Sequence, residues 1–178
     1  MAQVQYLIHT FNWHSPSWDL FILMFWIVGS VLFAFASGRG RMLTILVSTY
    51  MAQLLVIKAP FFSSIASSRF NVTSTMAQLA AFVVLFLIFF IFLSRYAFKS
   101  SLDGKQITSL PFVLIFTFLQ VGLLVNIILN YLPDQIKNSF SPLIQFLFLQ
   151  PQATFVWLIA PVAFLIIAGR FVSEKFDN

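Results

Sequence analysis

Few side chains in this sequence are able to do chemistry, and their spacing gives them little to do. His9 and His14 are its two histidines. Five positions apart, they miss the shared helix face of ligands at i and i+4, and no third ligand stands beside them. Cysteine is absent, which removes disulfides, thiolate nucleophiles and iron–sulfur ligation. The carboxylates are Asp19, Asp103, Asp134, Glu174 and Asp177. All lie at or beyond the ends of apolar runs, so none sits at mid-bilayer to carry a proton or a cation. No nucleophile has a base at a motif spacing, and no glycine-rich phosphate loop occurs. The expectation is a protein with no catalytic residues, no cofactor and no metal.

Three patterns remain that could bind or pack. Gly38-Arg39-Gly40-Arg41 puts two guanidinium forks in one turn, which makes Arg39 and Arg41 the candidates for contact with an anion or a lipid headgroup. Charge at a cytoplasmic turn is the simpler account of the same residues. Ser30, Ala34 and Gly38 recur every four positions, as do Thr44, Ser48 and Ala52. Lipid supplies no hydrophobic drive between helices, so close packing of small residues must hold them, and these two ridges are expected to pair across the turn. Gly122, Asn126 and Asn130 form a third stripe at the same interval, with Thr117 and Gln120 on a different side. An amide in hydrocarbon needs a partner and carries no useful acid–base chemistry. The stripe is therefore read as structural hydrogen bonding in preference to a substrate path. Asp19 is read as complementing a helix dipole, with pairing to a base from another connection as the alternative. Gln53, a polar residue within an apolar run, joins the candidates for packing.

The elements that carry these residues are apolar. Hydrophobic residues make up 60% of the 178 and charged residues 8%, against roughly 45–50% and about 25% in soluble domains. So short a chain has too little interior to hide several long apolar runs from water. The fold class expected is all-α, a polytopic transmembrane helical bundle in one membrane domain over residues 1–178. Ser15 and Pro16 predict a helix over 16–37, and the Gly-Arg turn leads into a second over 42–58, which ends at Lys58 and Pro60. A third run covers 75–94, ahead of Arg95 and Lys99. The fourth covers 110–132, stopped by Pro133, and the fifth covers 153–169, with Pro161 inside and Arg170 at its close. The second run is short, and a thin crossing is preferred to a re-entrant hairpin. Short amphipathic helices at the interface are expected over 2–12 and over 135–149, where Pro142 should bend or divide the helix. Ala34-Phe35-Ala36 imitates a signal-peptidase site, but no basic residue precedes the run, so retention is expected.

The formal charge of +5 is spread over short connections, which favours anionic lipid over nucleic acid as its partner. If five runs cross, Arg39, Arg41, Arg95, Lys99, Lys105, Arg170 and Lys175 share one side, with Lys58, Arg69 and Lys137 on the other. The amino terminus is then outside and the carboxyl terminus in the cytoplasm. Should the second run not cross, this assignment falls.

Trp18-Asp19 ahead of an apolar run, followed by Gly38-Arg39-Gly40-Arg41 and Leu43-Thr44-Ile45-Leu46-Val47, resembles the opening of the colicin V production protein family. Those are small proteins of the bacterial inner membrane. The order of the third run, the fourth run and the stretch containing Pro142 is also similar, and the fifth run looks like an addition. The resemblance implies a bacterial inner-membrane location, a link to toxin production or solute export, and no established enzyme activity. The function expected is that of a non-enzymatic accessory or scaffold protein. Its partners would be membrane lipids, further copies of itself or other membrane subunits, with no nucleic acid. The alternative is a subunit of a small-solute transporter or channel, in which Gly122, Asn126 and Asn130 line a path.

Overall fold

The computed structural model describes residues 18–37, 42–58, 74–97 and 110–174, and every regular element among them is helical. In chain order these are α1 (Trp18–Ser37), α2 (Met42–Lys58) and α3 (Ser74–Phe92), which closes with a π-helical turn over Leu93–Ala97. Then come α4 (Leu110–Asn130), α5 (Asp134–Lys137) and α6 (Pro142–Ile144), continued by a π-helical turn over Gln145–Leu149. Last is α7 (Pro151–Glu174).

Proline marks the starts. Pro111, Pro142 and Pro151 all fall within the first two residues of a helix, where the missing N–H has no intrahelical partner to lose. At α6 the start is also capped, because Ser141 Oγ accepts the Ile144 N–H at 3.5 Å. Pro142 therefore begins a helix instead of bending one. The chain is thus divided once between α5 and α6, where Ser141 is extended at φ −61° and ψ 157°, and again between Leu149 and Pro151, where Gln150 is extended at φ −68° and ψ 145°.

α4 is the centre of the bundle. It packs along α1 on one side and along α7 on another, while α2 packs along α3 and meets α4 more lightly. The residue pairs Asn126–Thr154, Gly122–Trp157 and Phe112–Phe164 show α7 running antiparallel to α4. Phe116 and Val125, nine positions apart and so on opposite sides of α4, are both buried, as expected of a helix that is apolar all round. α3 is the opposite case. It buries Ala77 and Phe82 and leaves Val84, Ile88 and Ile91 exposed.

Among the described residues, two helices are long and apolar enough to cross a membrane: Ser74–Tyr96 and Pro111–Asn130. The pair Pro142–Leu149 and Pro151–Ile167, bent by 51°, makes a third if it counts as one span. α2 and the Asp19–Phe35 part of α1 are apolar but shorter. Length and composition thus qualify two or three of the five runs.

Two expectations are corrected. The small-residue ridges of α1 and α2 do not form a shared seam, because α1 lies on α4 and α2 on α3. Residues 135–149 are divided ahead of Pro142 into two short helices, but they do not both lie at a surface: α5 has no buried residue, whereas Phe140, Ile144 and Phe148 enter the core. The fifth run, expected over 153–169 with Pro161 inside, lies within α7, whose apolar part covers Pro151–Ile167. The segment 2–12 and the Gly-Arg turn with Gly38, Arg39 and Arg41 lie outside the described residues.

Candidate functional site

The residues expected to matter on α4 meet the chain break between α6 and α7. A residue that precedes proline is pushed out of the helical region, and proline brings no N–H. Gln150 is accordingly extended, and two carbonyls of the preceding turn lose their normal helical partners. The N–H that would have bonded Leu147 O belongs to residue 151, which is proline. Trp157 Nε1 donates to Leu147 O instead, at 2.8 Å. Phe148 O receives Nδ2 of Asn126 at 2.5 Å and Nδ2 of Asn130 at 3.3 Å. Both amides also reach Thr154 Oγ1, at 3.3 and 3.4 Å, and Asn130 Nδ2 donates to Asn126 O at 2.8 Å. Broken backbone at membrane depth is tolerated where protein groups satisfy it, and here two amides and an indole do so.

Gly122 makes the same junction possible sterically. A methyl group at this position would collide with Cζ3, Cη2 and Cε3 of Trp157. The indole stacks on Phe148 with ring centres 5.5 Å apart, and Trp26 meets both rings edge-on at 5.4 and 5.3 Å. Trp26 Nε1 donates to Phe118 O at 3.2 Å, so α1, α4, α6 and α7 share one aromatic cluster.

The opposite end of α6 is held by Asp19. This side chain is only 6% exposed, and both its oxygens accept the Ser141 N–H at 3.1 Å. Its partner is thus a backbone amide at the start of α6, with the carboxylate itself in the first turn of α1. Tethered by Asp19 at one end and Asn126 at the other, α6 is fixed across the bundle.

Hydrogen bonds also join α2 to the body. Gln120 Nε2 donates to Thr49 Oγ1 at 3.2 Å, Tyr131 OH to Gln53 Oε1 at 3.1 Å, and Tyr50 OH to Leu158 O. Ser30 and Ser48 turn inward on their own helices, bonding Trp26 O and Thr44 O, a pattern that satisfies a hydroxyl without a second helix. Ser30 also lies in an apolar groove of about 340 Å³ between α1 and α4, lined by Ile27, Val31, Leu114, Ile115 and Phe118. Ala34 packs partly against the core.

No family model, curated protein or solved structure matches the chain. Its chemistry is therefore read from geometry. Among the described residues no group of three or more His, Cys, Asp and Glu could hold a metal ion. What the junction offers is hydrogen bonding and close packing: Asn126 is 1% exposed, and the indole covers Gly122.

Sequence reasoning found Gly122, Asn126 and Asn130 through their four-residue interval, and it missed Trp26, Phe148, Thr154 and Trp157. Trp157 reads along the chain as a tryptophan near the start of a span, the usual place for an interfacial anchor. One signal was available. Gln150-Pro151 inside a continuous apolar stretch marks a helix break, and a break in such a stretch calls for donors elsewhere.

Proposed function

We propose that this chain is a non-enzymatic, polytopic protein of the bacterial inner membrane that acts as an accessory or scaffold component through its packed helices. The observation that carries this reading is that the amide nitrogens of the α4 stripe are held by the protein itself, while Asn126 Oδ1 lies buried without a protein hydrogen bond. Asn126 and Asn130 are committed to Phe148 O and Thr154 Oγ1, and Trp157 fills the space over Gly122. A stripe closed by its own protein supports a structural role over a path for solute. In this reading α1, α2 and the α6–α7 pair cross together with α3 and α4, the amino terminus is outside, and Arg39 and Arg41 meet anionic headgroups. The link to toxin production or export rests on the likeness of the opening residues to the colicin V production family.

The second reading, a subunit of a small-solute transporter or channel, is favoured by one feature. Discontinuous membrane helices are a recurring component of transport sites, and α6–α7 is discontinuous. Native mass spectrometry of the complex extracted in mild detergent from its own membrane separates the two. A particle containing other subunits supports the accessory role. A homomer or monomer that passes solute in proteoliposomes, with flux altered by Asn126→Leu, overturns it.

A further inference from the structure

The contact between α2 and α4 contains a second buried amide that the junction does not use. Gln120 is 0% exposed, and its orientation is fixed by its neighbour. Thr49 Oγ1 gives its proton to Ile45 O, so it can only accept, and Gln120 must present Nε2 to it. Oε1 then points away, fully buried, and accepts no hydrogen bond from the protein. Thr117, one turn earlier on α4 and also 0% exposed, donates to Val113 O. Thr49 and Thr117 thus spend their hydroxyl protons on their own helices, and neither gives one to Gln120 Oε1.

We propose that the α2–α4 seam holds an internal water molecule that donates a hydrogen bond to Gln120 Oε1. The chemistry selects water over other small donors. A bare monovalent cation would need charge compensation in the seam, and the one buried carboxylate among the described residues, Asp19, is engaged by Ser141. Water is neutral and small, and it supplies the donor that Gln120 Oε1 lacks. Buried polar atoms without protein partners are the usual hosts of ordered internal water. The proposal is independent of whether the protein scaffolds or transports.

The test is X-ray hydroxyl-radical footprinting of the full chain in lipid nanodiscs, read by mass spectrometry. Radicals form from water, so a residue beyond the reach of bulk solvent is oxidised only beside an internal water. Phe116 lies one turn from Gln120 and is 0% exposed, and Phe82 on α3, 2% exposed, serves as the dry control. Oxidation at Phe116 with Phe82 silent is expected, falling several-fold in Gln120→Leu. A silent Phe116, equal labelling of both phenylalanines, or undiminished labelling in Gln120→Leu would overturn the proposal. If that variant does not fold, the wild-type comparison of Phe116 with Phe82 still decides.

Discussion

Asn126 and Gly122 stand four residues apart on α4 and are needed for different reasons. Asn126 supplies the short hydrogen bond to Phe148 O, and Asn130 approaches the same oxygen at 3.3 Å. In Asn126→Leu, Phe148 O keeps only that longer bond, and chemical denaturation in mixed micelles should read a loss of about 1–3 kcal/mol. An unchanged midpoint would make the bond incidental. Gly122→Ala removes no bond but drives a methyl into Trp157, and overpacking of this kind costs about 1–3 kcal/mol. Combining it with Trp157→Phe should cost less than the sum of the two single changes, because the smaller ring makes room; strict additivity would deny the contact. At the other end of α6, Asp19→Ala removes both acceptors of the Ser141 N–H and Asp19→Asn keeps one oxygen. Thermal melts should rank wild type above Asn and Asn above Ala. The polar residues were legible in the sequence because an amide in hydrocarbon declares its need for a partner. Trp157 was not, because the space it fills depends on where a distant chain break delivers it.

The helices illustrate the same limit. The two prolines of the α6–α7 region look equivalent along the chain, and the sequence pattern expected Pro142 to bend or divide the helix and Pro151 to lead into the last run. With Ser141 before it as a cap, Pro142 occupies the first position of a helix, where proline is at ease. A second break falls at Pro151, which has no such cap before it: Gln150 is extended and its N–H bonds Gln145 O at 3.0 Å. The difference between them is made by hydrogen bonds that periodicity does not encode. The ridge pairing of α1 with α2 failed for a related reason. Small residues state that some backbone approaches but do not name it, and the serines among them are satisfied on their own helices. α3 gives a clean comparison of its two faces. Phe82→Ala should cost about 3–5 kcal/mol, and Ile88→Ala, on the exposed side, about 0.5 kcal/mol or less. Equal losses would mean that the face carrying Ile88 is covered in the assembled protein.

At the scale of the molecule, the bundle divides into a body of α1, α4, α6 and α7 and a hairpin of α2 and α3. The two are joined by side-chain hydrogen bonds from Thr49, Tyr50 and Gln53. Helical character and an apolar composition could be read before any coordinates, since they follow from the length and spacing of the runs. The division could not, because it depends on which helix each face meets. The chain has no cysteine, so single introduced thiols can report its orientation. For the proposed topology, a membrane-impermeant maleimide should label Ser139→Cys from outside the cell and Ser101→Cys only after permeabilisation. Labelling of both from one side would remove α4 as a crossing element.

The junction also sets an order of manufacture. Asn126 leaves the ribosome 22 residues before Phe148 and 28 before Thr154. While α4 is being delivered to the bilayer, its amides have no acceptor from the part of the chain that will finally hold them. Assembly is completed from the carboxyl end, when the broken last pair arrives and closes over a helix already in place. A message truncated before Phe148 would therefore yield a protein whose central helix keeps the Asn126 amide unpaired, a form that membrane quality control should recognise and remove.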